Sequence, residues 1–94
     1  MNEQNSENTP TVLVQVIQSL EDEIIKCSEE IKVADEPKKT ELMGIVNKAY
    51  KEVYRLFKET GEVPNETLFR VSEIYLNTAN YYKEYLKTKN NEVV

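Results

Sequence analysis

The strongest pattern along the chain is a row of apolar residues at helical spacing. Leu13, Ile17, Leu20, Ile24, Cys27, Ile31 and Ala34 follow one another in steps of four and three. They therefore fall on one side of an α-helix, as a seam of a/d type held for about three heptads. Thr9-Pro10 supplies a start, since a threonine oxygen caps free amides and proline suits the first helical position. Asp35-Glu36-Pro37 supplies a stop, because the residue before a proline is pushed out of the α region and acidic side chains suit the first turn of a following helix. The spacing predicts a first helix over about 10–34.

A second row, Leu42, Val46, Ala49, Val53 and Leu56, has Met43, Tyr50 and Phe57 beside it and predicts a helix over about 37–60. Gly61 provides the left-handed residue that helix ends favour. Val63-Pro64-Asn65 restarts the chain, and Leu68, Val71, Ile74, Tyr75, Thr78, Ala79, Tyr82, Tyr85 and Leu86 predict a third helix over about 65–89. No segment alternates with period two over a useful length, so no sheet is expected.

Helices of about 24 residues are about 36 Å long, and short connections make consecutive helices antiparallel. The expected fold is all-α, an antiparallel up-down-up bundle of three long helices forming one domain over 9–90. The polar stretch Met1 to Asn8 carries too little apolar surface to offset the entropy of ordering and is expected to be a disordered tail. Residues 91–94 are expected to fray.

Composition narrows the chemistry. A chain of 94 residues has no room for a second core. The net charge is −5, and there is neither histidine nor tryptophan. Such a chain repels nucleic acid as a whole and lacks the usual general base near neutral pH, which weighs against a nuclease or a metal-dependent hydrolase. Phosphate-binding loops, dinucleotide-binding glycines, nucleophile elbows and histidine-bearing zinc spacings are absent from the sequence. No catalytic residue, metal ligand or cofactor is expected. Cys27, the single cysteine, sits on the apolar seam and reads as core filler. One cysteine forms no internal disulfide, and with neither a secretory signal nor a membrane-spanning apolar run, a cytoplasmic location is expected.

Three features are left for binding. Residues 1–37 carry nine acids against Lys26 and Lys32, whereas the remainder carries ten bases and eight acids. The acidic run Glu21, Asp22 and Glu23 can steer a basic partner, although a solvated helix face has the same appearance. Val12, Val14, Val16 and Ile25 lie off the seam of the first helix and offer apolar surface, part of which a three-helix bundle needs for packing against two neighbours. Tyr81, Tyr82 and Tyr85, near Lys83, Lys87 and Lys89, suit half-buried or interfacial positions and in principle stack on single-stranded bases.

The segment from Val71 to Tyr82 (VSEIYLNTANYY) resembles the tyrosine-rich helix of small archaeal proteins grouped as domain of unknown function 357. That helix has a tyrosine, two residues, Asp-Ala, one residue, then two aromatics. Tyr75, Ala79, Tyr81 and Tyr82 fit, Thr78 stands where the family has its acid, and the sequence stops where the family continues into a further helix. The resemblance covers 12 of the 94 residues. It implies a helical bundle, an archaeal source and no established activity.

The function expected from these residues is a non-enzymatic protein–protein interaction module, docking on another protein or on itself. Its candidate contact residues are Val12, Val16, Glu21, Asp22, Glu23, Ile25, Tyr81, Tyr82 and Tyr85. One concrete form is an acidic accessory subunit of a larger nucleic-acid enzyme such as a DNA polymerase. The alternatives are a small immunity or inhibitor protein of bacterial or viral origin, and single-stranded nucleic-acid binding through the tyrosines of the third helix. Membrane association is not expected, and direct nucleic-acid contact is disfavoured by the overall charge.

Overall fold

A computed structural model describes residues 12–93, with side chains to residue 89. Three helices account for nearly all of it: α1 (Val12–Glu30), α2 (Lys38–Thr60) and α3 (Asn65–Val93). Each packs against the other two, giving an all-α three-helix bundle. The expected tail over 1–8 and the Thr9-Pro10 start lie outside the described residues, as does Val94.

α1 ends four residues earlier than its seam does. The Ile31 amide still donates to the Cys27 carbonyl at 2.9 Å, but Lys32 and Val33 donate to Glu29 and Glu30, three residues back. The chain thus tightens into a turn while Ile31 keeps its place in the core, fully buried. The apolar row is right about burial and runs past the helix, because a residue just beyond a helix end can still point inward.

α2 starts where Glu36 accepts hydrogen bonds from the Thr40 amide (3.0 Å) and hydroxyl (2.8 Å). A carboxylate here both satisfies an otherwise unpaired first-turn donor and meets the positive end of the helix dipole. Gly61 closes α2 at φ 68°, its amide donating to the Phe57 carbonyl at 3.1 Å. A side chain at that left-handed position would be strained. Val63, in the connection that follows, is buried and plugs this end of the bundle. α3 runs to Val93, beyond the end near Lys89 that the pattern predicts.

The core consists of Ile17, Ile24, Cys27 and Ile31 from the first helix and its turn, Leu42, Val46, Ala49, Val53 and Leu56 from α2, and Val63 with Val71. α3 contributes a different kind of contact. Tyr50 and Tyr75 stack with ring centroids 4.4 Å apart and planes within 6°. The Tyr75 hydroxyl donates to Asn47 Oδ1, and the Ser72 hydroxyl donates to Tyr50, both at 3.4 Å. Half-buried phenols let α3 pack on α2 with their rings while their hydroxyls reach polar groups at the rim. Among the described residues no helix is long and apolar enough to cross a membrane.

Candidate protein-docking surface

Two tyrosines of α3, Tyr81 and Tyr85, converge on one buried cation. Lys39 is only 6% exposed, and its Nζ donates to the Ile31 carbonyl at 2.6 Å and to the Tyr81 hydroxyl at 2.8 Å. The same ammonium lies 5.0 Å from the ring centroids of both Tyr81 and Tyr85. A charge this deep is tolerated only when hydrogen-bonded and offset by nearby negative potential, and here the Ile31 carbonyl just past α1, the Tyr81 phenol oxygen and the ring of Tyr85 supply it.

Around Lys39 runs a second layer of polar contacts. The Tyr85 hydroxyl donates to Glu36 Oε2 at 2.9 Å, and the Tyr82 and Thr40 hydroxyls share a hydrogen bond of 2.9 Å. Glu36 is held below the usual carboxylate range chiefly by its bond from the Thr40 hydroxyl, with the Thr40 amide and the Tyr85 hydroxyl adding to it. Tyr85 is pushed up, first by burial and then by its bond to Glu36. Tyr81, Tyr82 and Tyr85 therefore tie α3 to the α1–α2 turn. Their rings are half-buried, one of the two positions expected of them, and are largely committed to the molecule's own groups, Lys39 above all. Lys39 itself was missed in the sequence reading, although its position carries a signal: it continues the row Leu42, Val46, Ala49 backwards by three.

The acidic run on α1 divides. Glu21 is 6% exposed and forms an ion pair with Arg70 Nε of α3. Asp22 is exposed and accepts from Gln18 Nε2 at 3.1 Å, and Glu23 is exposed on another side. Consecutive helical residues are about 100° apart, so three neighbouring acids cannot share a face. Only Asp22 and Glu23 remain available to a partner, because Glu21 serves the α1–α3 contact.

The valines divide in the same way. Val12 and Val16 are exposed and lie along a groove with Gln15, Ser19, Leu20 and Glu23. This groove continues onto α2 through Ile45, Lys48, Ala49 and Glu52, with Leu20 and Glu23 common to both parts. Its floor is apolar, and charges stand along its rim. Val14 is exposed on the other flank, above a depression that Glu21, Pro64, Thr67 and Arg70 help to line. Ile25 is half-buried and does not line the groove.

Cys27 is buried in the core. Burial first, and the charges of Glu23 and Glu30 second, push its thiol up, which suits a packed side chain rather than a nucleophile. Among the described residues no cluster of three or more Cys, Asp or Glu is placed to hold a metal ion. Comparison with known proteins finds no matching family model, curated protein or solved structure.

Proposed function

We propose that the chain is a non-enzymatic protein-docking module whose contact surface is the α1–α2 groove. The observation that carries this reading is the exposed strip itself: Val12 and Val16 of α1 and Ile45 of α2 stay exposed in a folded bundle, and with Leu20 and Ala49 they line two shallow adjoining depressions that share Leu20 and Glu23. Exposed apolar side chains gathered in a concave strip favour a partner's apolar segment. On the rim Glu23 stands with Lys48 and with Glu52, which already pairs with Arg55; Glu23 and the nearby Asp22 are the acids left to meet a basic residue beside that segment. An accessory role on a larger nucleic-acid enzyme, such as a DNA polymerase, is one such pairing. Direct stacking on single-stranded bases is less favoured, since Tyr81 and Tyr85 already face Lys39.

Affinity capture from the native host tests the reading when the wild type is run beside Val16→Glu. The variant places a carboxylate on the groove at an exposed position, so its helical circular dichroism should match the wild type. A basic protein recovered with the wild type and lost with the variant supports the reading. Identical sets of captured proteins would count against it.

A further inference from the structure

α3 carries a second row whose large apolar members the bundle leaves uncovered, while Ser72 and Ala79 on it are half-buried and the Ser72 hydroxyl reaches Tyr50. Phe69, Ser72, Leu76, Ala79, Lys83 and Leu86 follow in steps of three and four, so they form an a/d row in their own right. This row points away from the core side marked by Val71 and Thr78, both buried. Its large members are open to solvent: Phe69 is 73% exposed, Leu76 58% and Leu86 40%. None of them lines the α1–α2 groove. Apolar side chains repeated at heptad spacing on an outward helix face have no role in folding the monomer, and a facing helix is what such a row fits.

We propose that α3 pairs antiparallel with α3 of a second copy of this chain. In an antiparallel pair each a position meets a d position, and one register satisfies all six residues. Phe69 meets Leu86 of the second copy, Leu76 meets its Ala79, and Lys83 meets its Ser72. Leucine opposite alanine and lysine opposite serine set large against small in the inner layers, and Phe69 against Leu86 forms the two large outer layers. A parallel pair would instead set Lys83 against Lys83 in the seam and leave alanine opposite alanine.

Charge beside the seam gives the same direction. Glu73 and Lys87 occupy the same flanking column, both exposed. The antiparallel arrangement brings the Glu73 end of one helix to the Lys87 end of the other. Side chains lean toward the N-terminus of their own helix, so these two converge from opposite ends. The two-fold axis passes between Asn77 and Thr78, and an isologous contact of this kind closes on itself as a dimer. This surface is separate from the α1–α2 groove, so pairing through α3 leaves the groove free.

Sedimentation equilibrium of the purified chain tests the proposal. The wild type is expected to reach twice its 11.0 kDa mass, and Leu76→Glu is expected to weaken dimerisation by at least about tenfold with unchanged helicity. Glu73→Lys and Lys87→Glu should each weaken the dimer, and the two combined should restore it. A monomeric wild type, or a dimer indifferent to Leu76→Glu, overturns the proposal. A double charge swap no better than either single swap overturns the antiparallel register. Val16→Glu is expected to leave the dimer intact, so loss of a captured partner and loss of the dimer are separate results; a dimer dissociated by Val16→Glu would place the contact on the wrong face.

Discussion

Lys39 shows how one residue sets the geometry of a whole corner. Its ammonium joins the turn that follows α1, through the Ile31 carbonyl, to Tyr81 and Tyr85 on α3. Lys39→Met keeps most of the aliphatic stem but leaves the carbonyl and a phenol without their donor. We expect a loss of roughly 1–3 kcal/mol in a urea titration, the range for stranding buried polar groups. An unchanged midpoint would show that water replaces the ammonium at no cost. The acids of α1 give a sharper contrast. Arg70→Ala should lower the urea midpoint measurably, because it leaves the buried Glu21 carboxylate without its partner. Asp22→Asn, at an exposed position, should stay within about 0.5 kcal/mol. Equal effects of the two substitutions would mean that burial does not separate these carboxylates.

At the scale of the helices, the seam of α1 was legible because one face of the helix is buried along its length. Of its residues, Ile17, Ile24, Cys27 and Ile31 are buried, while Leu13, Leu20 and Ala34 sit at its edge. Ile24→Ala should cost roughly 2–5 kcal/mol, and Leu20→Ala distinctly less, since Leu20 lines the open groove. Thermal melts of the two variants should therefore differ, and coincident melts would put Leu20 in the core. The end of α2 at Gly61 was equally readable, since a left-handed stop has a residue type of its own. Less legible was the division of labour within neighbouring residues. Glu21, Asp22 and Glu23 form one acidic run in sequence but point three ways in space. Tyr81 and Tyr85 look interfacial by composition, yet they cage a lysine that is 42 residues from Tyr81 in the chain. Pattern along a helix gives the face a residue lies on, but the chemistry of that face depends on what the next helix brings to it.

For the molecule as a whole, four surfaces have different uses. The face between α1 and α3 is bridged by the Glu21–Arg70 ion pair beside a depression under Val14, and the tyrosine end is closed around Lys39. The α1–α2 groove and the outer row of α3 stay open, each with large apolar side chains in solvent. A bundle this small gains little from exposing them unless other surfaces cover them. Docking through the groove is the central claim, and a quantitative comparison of wild type and Val16→Glu in affinity capture from the native host tests it most directly. The account predicts that a partner with basic surface residues is retained by the wild type and lost with Val16→Glu at equal helicity. Capture that is the same for both proteins would contradict it.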